Sequence, residues 1–364
     1  MAQTAGSCTG RPCTRRGSSS ASWTCGRTPG RGASAPSGFI RGTSTGSSRS
    51  SEALTGSALE EVAHTVASAA TKALLVEALA APKPGLVDRY RDLKELNVFR
   101  MAVSAVSAYR WFARAAIGGA RGSRGVVGRC VLGAVRDSIS SQRGGNAHLG
   151  ALLLLVPLCA AAGRLISSGS RSGEKGLRRE VVKVMRSAGE ADAVDVFAAI
   201  REAKPGGLGK VAYLDVTDPE TYHEIRKRRI RLLEALSVYR GRDLVADELV
   251  EGYPLTFEVC LPVMRRYLGS TNRLDVAVVN GLLAVMAARP DTHVVRRNGL
   301  HVARYVSDLA KGALRLGGIA TPAGRRAVER MDSYMRSRDV RPGSSADVVD
   351  AALMALLLLH RVKP

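Results

Sequence analysis

From Leu59 almost to the C-terminus, apolar residues recur at spacings of three and four, and no stretch alternates as a half-buried strand would. "LEEVAHTVASAATKALLVEALA" reads as a long first helix, and "VFRMAVSAVSAYRWFARAA" reads as the next. Further helices are expected at about 126–139, 147–162, 177–187, 190–203, 218–239, 254–267, 273–288, 299–316, 322–337 and 345–361, many of them separated by Gly/Pro turns. "GKVAYLDV", residues 209–216, is the one candidate strand, and an extended loop suits it better. No Gly/Ser or Pro linker divides the region. The expected fold is therefore all-α: a single large, bundle-like, multi-helix domain over residues 58–364. Aromatic residues make up only 4% of the chain against 45% hydrophobic residues, so the core must be built from Ala, Leu and Val, which lets helices approach closely.

Residues 1–57 differ in kind. They are rich in Ser, Gly, Thr and Arg, contain no Lys and carry Glu52 as their single acid. With no apolar periodicity there is little burial to offset chain entropy, so a disordered basic extension is expected. Its composition resembles a transit peptide but lacks an amphipathic helix, and a segment without function is the favoured alternative. No secretory apolar region is present in it, and a cytoplasmic location is expected. "ALLLLVPLCAAA", residues 151–162, falls short of the roughly 20 apolar residues a bilayer needs and contains Pro157. It reads as a buried core helix, and no membrane partner is expected.

The formal charge is +22, carried by 44 Arg and 10 Lys. Such a balance favours anionic partners: nucleotides, nucleic acid or acidic lipid. The run "RKRRIR", 226–231, is read as a solvated helix face, with nucleic-acid contact as the alternative. Gln is confined to Gln3 and Gln142, a thermophile-like bias that a GC-rich genome explains equally well. Cys8, Cys13, Cys25, Cys130, Cys159 and Cys260 form no CxxC pair, so neither a disulfide framework nor a zinc site is expected. Cys159 is expected to pack as a small hydrophobe.

Four polar clusters lie beside helix ends. In "APKPGLVDRYRD", Glu77 sits in the last turn of the preceding helix, and Lys83, Gly85 and Asp88 follow. Lysine can pair with phosphate, and the aspartate could hold magnesium or a ribose hydroxyl. A Pro/Gly helix stop with a surface ion pair accounts for the same residues. In "GGNAHLGALLLL", Asn146 and His148 precede an apolar helix whose first N–H groups favour anions, and Gly144 and Gly145 allow close approach. Asn146 acting as a helix cap is the alternative there. "ARPDTHVVRRNG" carries Asp291, Thr292, His293, Arg296 and Arg297, a set suited to a metal–phosphate site or to a charged interhelical loop. In "VRPGSSADVVDAALMALLLLH", Ser344 or Ser345 can cap the last helix and Asp347 can complement its dipole. The first and third clusters follow helices and the second and fourth precede them. In an antiparallel bundle all four can therefore meet at one end, forming a site for a polyphosphate with magnesium.

"APKPGLVDR", "NAHLGALLLL", "PDTHVVRRNG" and "RPGSSADVVDAAL", in this order, resemble the motifs of the triphosphoribosyl-dephospho-CoA synthase family over about residues 70–361. The matched positions are Glu77, Lys83, Gly85, Asp88, Asn146, His148, Asp291, Thr292, Arg297, Gly299, Gly343, Ser344 and Asp347. The resemblance implies a transferase in which the ribose 2′-hydroxyl of dephospho-CoA attacks the ribose of ATP and adenine leaves. The product serves as precursor to the prosthetic group of citrate- or malonate-decarboxylating enzymes, and Mg2+ is expected with the triphosphate. The stretch "YRDLKELNVFRM" lacks the His and Asp-Met of bacterial members, Leu149 stands where they have Lys, and Ser344 replaces a Gly. These departures, with "GGLGKVAYLDVTDPE", resemble archaeal members. On this reading Asp88, Asp291 and Asp347 share the magnesium, while Lys83 and Arg297 neutralise the remaining charge. Gly85, Asn146, Thr292, Gly343 and Ser344 contact substrate. Glu77 or His148 takes the hydroxyl proton, with Glu77 favoured. The competing readings are transfer to a different acceptor, a basic helical nucleic-acid-binding protein, and a helical scaffold without catalysis.

Overall fold

The computed structural model describes residues 56–143, 145–170, 172–206 and 210–360. The expectation for residues 1–57 lies, apart from its last two residues, outside the described region. Gly56 and Ser57 already belong to the first helix. Fifteen α-helices make up the described fold, without a named strand among the described residues. In order they are α1 (Gly56–Leu79), α2 (Val98–Ala120), α3 (Val126–Ser140), α4 (Leu149–Ser167), α5 (Gly173–Ser187), α6 (Glu190–Ala203), α7 (Pro219–Arg228) and α8 (Leu232–Ser237). There follow α9 (Leu244–Glu251), α10 (Leu261–Thr271), α11 (Leu274–Ala288), α12 (Thr292–Asn298), α13 (Leu300–Arg315), α14 (Pro322–Ser337) and α15 (Gly343–Leu359). A π-helical turn, Leu255–Cys260, leads into α10.

Helices apolar all round must be buried all round, and α4 and α15 are the clearest cases. They pack on each other, α4 also against α1, α2, α3 and α5, and α15 also against α1, α10 and α11. α11, buried along nearly its whole length, centres the C-terminal half with α10 and α13 around it. α4 is 19 residues long and passes the length and composition of a membrane span, longer than the 12-residue stretch read from the sequence, yet 83% of its most apolar window is buried inside the protein. It is a core helix. Pro157 sits within it, and the Tyr253 hydroxyl donates to the Leu154 carbonyl in the turn that this proline loosens (2.9 Å). Small residues set how closely α2 and α4 approach. A Cβ on Gly119 would lie 1.9 Å from the Ala160 carbonyl oxygen, and one on Gly163 would lie 2.1 Å from that of Ala116. Cys130, Cys159 and Cys260 are buried and free.

The predicted helix 218–239 is two helices. Arg229 adopts a left-handed conformation (φ 54°), and the Ile230 N–H returns to the Ile225 carbonyl, which closes α7 although the apolar pattern runs on. Arg226, Lys227, Arg228 and Arg229 are exposed. Residues 210–216 form no strand. Two short helices escaped the periodicity. α9 is capped by Asp243, whose Oδ1 accepts from Val245 and Ala246 (3.0 and 3.1 Å), and α12 is capped by Asp291.

Candidate active site

The loop from α1 to α2, the start of α4, the start of α12 and the start of α15 meet around one cavity of about 1460 Å³. Its wall includes Glu77, Lys83, Asn146, His148, Thr292, Arg297, Gly343, Ser344 and Asp347. Gly85, Asp88 and Asp291 do not line it.

The floor is acidic and buried. The Lys83 ammonium donates to Glu77 Oε1 at 2.5 Å, and both side chains are at most 2% exposed. Asp347 and Asp350, three residues apart on α15 and so on one face, complete the group. Burial first, then the nearby charges of Asp243 and Asp291, pushes the Asp347 carboxyl well above its ordinary range. Burial and the charges of Glu77 and Asp347 do the same to Asp350, with Lys83 opposing. Asp350 Oδ1 has no hydrogen-bond partner among the described residues. The Asp347 carboxylate packs on Gly150, where a Cβ would fall 2.0 Å from Oδ2, so only glycine fits at the second residue of α4. With one lysine beside three carboxyl groups, a divalent cation bound there would stabilise their charged forms. No three acid, His or Cys side chains among the described residues converge on a single point. A magnesium ion held by Asp347 and Asp350 would therefore take its other ligands from phosphate oxygens and water, its common habit.

Another part of the lining is basic. Arg242, Arg289, Arg296, Arg297 and Arg341 form it together with His293. Most of these are oriented by carboxylates: Arg296 by Asp243 (2.6 Å), Arg297 by Asp339 (2.9 Å), and Arg341 by Asp339 (2.6 Å) and Glu95 (2.7 Å). Burial and the three arginines 296, 297 and 341 lower the His293 pKa to about 4, so its ring is neutral. Gly343 lets α15 start against that ring, since a Cβ there would lie 2.6 Å from His293 Nδ1.

Several expected ligands turn out to hold the frame. Asp291 Oδ1 caps α12 through the Val294 N–H (3.0 Å), and its Oδ2 accepts from the Ser345 N–H (2.7 Å) and hydroxyl (2.8 Å) at the start of α15. One carboxylate thus ties two helix N-termini together. Asp88 accepts from the backbone N–H of Lys83 (3.3 Å) and of Tyr90 (2.9 Å), shaping its own loop. Asp88 and Asp291, expected as magnesium ligands, accept from helix or loop N–H groups here and are not among the residues lining the cavity. Gly85 is a packing residue: its φ is 71°, a Cβ would lie 2.3 Å from the Val340 carbonyl oxygen, and its N–H donates to Asp332 Oδ1 (2.9 Å). The Thr292 hydroxyl accepts from the Leu244 N–H (3.0 Å) and donates to Ser344 Oγ (3.1 Å), joining α9, α12 and α15. Asn146 Oδ1 accepts from the Leu149 N–H (2.8 Å), a capping bond at the mouth of α4.

Residues the motifs did not single out also line the cavity, notably Asp350, Gly150, Asp243 and Arg341. Asp350 was within reach of sequence reasoning through its spacing from Asp347 on a helix. Asp243 and Arg341 carry no comparable local signal.

The model of the ATP:dephospho-CoA triphosphoribosyl transferase family matches residues 63–363. A Salmonella gallinarum relative is 28% identical over 291 residues, covering 76% of this chain and 85% of its own length. The 2-(5''-triphosphoribosyl)-3'-dephosphocoenzyme-A synthase of Pectobacterium atrosepticum is 27% identical over 301 residues, covering 79% and 86% of the two chains. A crystal structure of an Archaeoglobus fulgidus protein described as a triphosphoribosyl-dephospho-CoA synthase shares the fold, with a TM-score of 0.52 at 24% identity over 70% of this chain and 96% of the other. With the family model spanning nearly all of the helical region, the chain belongs to the ATP:dephospho-CoA triphosphoribosyl transferase family.

Proposed function

We propose that this transferase moves the 5-triphosphoribosyl group of ATP to the 2′-hydroxyl of 3′-dephospho-CoA and releases adenine. The observation that carries this reading is the convergence of buried Glu77, Lys83 and Asp350 with half-buried Asp347 in a cavity that arginines also line, in a member of this family. The cavity, at about 1460 Å³, exceeds the roughly 300–1,000 Å³ that suits one drug-sized ligand, which supports two nucleotide substrates side by side.

In the reaction the bond from ribose C1′ to the adenine nitrogen breaks, and its electron pair leaves with the base. A new bond forms from C1′ to the acceptor oxygen, whose proton must be removed. Glu77, buried and already paired with Lys83, is the proposed acceptor of that proton. The arginines receive phosphate charge, and Arg296, Arg297 and Arg341 are pre-oriented by carboxylate partners so that little reorganisation is needed on binding. Asp347 and Asp350 would hold the magnesium. Bound there, it would neutralise triphosphate charge and orient that group.

The test is adenine release from ATP with Mg2+, with and without dephospho-CoA. Stimulation by dephospho-CoA and a triphosphoribosylated product are expected, and Asp347→Asn should abolish both while retaining the helical circular dichroism spectrum. Adenine release that ignores dephospho-CoA would point to another acceptor.

A further inference from the structure

His148 lies at the mouth of α4, 3% exposed, with one ring nitrogen engaged and the other not. Its Nδ1 meets Ser104 Oγ from α2 at 2.8 Å, and Ser104 Oγ meets Ser138 Oγ from α3 at 2.5 Å. Ser104 and Ser138 are themselves 1% and 2% exposed. Nε2 is buried without a partner among the described residues, and the residue lines the cavity.

The three groups form a chain whose proton arrangement can be counted. A neutral imidazole brings one N–H and each serine one O–H. If Nδ1 carries the proton, it donates to Ser104, Ser104 donates to Ser138, and the Ser138 hydroxyl proton is left buried with nowhere to go, since Ser104 is its only partner among the described residues. If Nε2 carries the proton, Ser138 donates to Ser104, Ser104 donates to Nδ1, and both hydroxyl protons are satisfied. Each arrangement leaves one buried donor unpaired, but at different places: the first strands the Ser138 hydroxyl, which does not line the cavity, whereas the second puts the free N–H on His148, which does, where water or a ligand acceptor can pair it, so the second arrangement is favoured. The ring is also held neutral: burial and the Lys83 charge lower its pKa to about 3.

We infer that Ser138 and Ser104 fix His148 as the neutral Nε2–H tautomer, so that it acts on the bound nucleotide as a hydrogen-bond donor and not as the base. This deepens the transfer reading and rests on it for the identity of the nucleotide. A neutral imidazole donor can stabilise an acceptor atom that gains electron density in the transition state without surrendering its proton. It also leaves Glu77 as the group that takes the hydroxyl proton. Ser104 and Ser138 are positioning residues, acting through the imidazole.

The test uses the full chain labelled with 15N. The chain contains six histidines, so long-range 1H–15N spectra can resolve each ring, and the His148 signals are those missing from His148→Gln. The expected result is a bare Nδ1 and a protonated Nε2, unchanged between about pH 5 and 8. A protonated Nδ1, or a titration within that range, overturns the inference. In the adenine-release assay, His148→Ala should lower kcat roughly a hundredfold, as loss of a transition-state donor does, while His148→Gln, which retains an N–H near the position of Nε2, should stay within about tenfold of wild type. Equal loss in both variants overturns the donor role. Ser104→Ala should lower kcat about tenfold with KM for ATP little changed, and Ser104→Thr should restore it. The tautomer measurement needs no substrate, so its failure is distinguishable from failure of the transfer reading, which wild-type adenine release reports.

Discussion

Asp350 is a carboxylate with an unpartnered oxygen in a pocket already holding Glu77 and Asp347. Such a group costs stability and is retained for what it binds. Its folded-state pKa is raised, so the native state takes up a proton that the unfolded chain, with an ordinary carboxyl, does not. The penalty is therefore present at neutral pH and shrinks as pH falls toward about 4. Asp350→Asn should raise the melting temperature by several degrees at pH 7, by less near pH 4, and should remove turnover. Thermal denaturation at the two pH values beside the adenine assay checks all three outcomes. Gly150 shows the opposite balance. Alanine in a helix is ordinarily better than glycine by about 1 kcal/mol. Here the added Cβ would strike the Asp347 carboxylate at 2.0 Å. Gly150→Ala should leave the helical spectrum unchanged and lower turnover roughly a hundredfold by displacing that carboxylate. Steady-state kinetics would show it.

At the level of elements, the Lys83 loop is held from outside the cavity. Asp332 of α14, fully buried, accepts from the Gly85 N–H (2.9 Å), from Arg336 (2.8 and 3.0 Å) and from Arg91. Arg336 in turn donates to the carbonyls of Leu86 and Asp92. α14 thus clamps the segment that carries Lys83 onto the end of the bundle. Asp332→Ala takes an acceptor from two arginines that solvent partly reaches and from the Gly85 N–H, a loss of about 1–3 kcal/mol. Urea denaturation should show that loss, and limited proteolysis should find new cleavage between residues 81 and 92. Asp291 performs the same service between α12 and α15. Short helices capped by an aspartate, α9 and α12, are invisible to periodicity because eight and seven residues give too few turns for a pattern, whereas their caps are visible only once the N–H partners are known.

Across the whole molecule, acid groups and histidines pull stability in opposite directions. Half-buried His293 has its pKa lowered to about 4 by burial and by the charges of Arg296, Arg297 and Arg341. Between about pH 6.5 and 4 the unfolded chain binds a proton at this residue that the folded chain refuses, so its contribution to stability is complete above pH 6.5 and is lost as pH falls. The raised carboxyls of Asp347 and Asp350 act in the reverse sense over the same window. His293→Gln should therefore reduce acid sensitivity, changing the stability difference from wild type by on the order of 1 kcal/mol per pH unit across that range. Denaturant titrations at pH 7, 6, 5 and 4 would measure it.

Local regularities carried much of this protein into view. Apolar spacing, the scarcity of aromatics and the Gly/Pro stops define an all-helical bundle built on small residues, because these depend on neighbours three and four positions away. The clustering of polar side chains at helix ends was equally local, and it brought Glu77, Lys83, His148 and Asp347 under suspicion. Which carboxylates face the cavity was not local. Asp88 and Asp347 both follow short polar stretches, but one bonds its own loop while the other lies against Gly150 of α4. Helix N-termini and loop N–H groups compete with a ligand for every acidic side chain, and the winner is set by which helix end arrives beside it, a matter of packing between segments up to hundreds of residues apart.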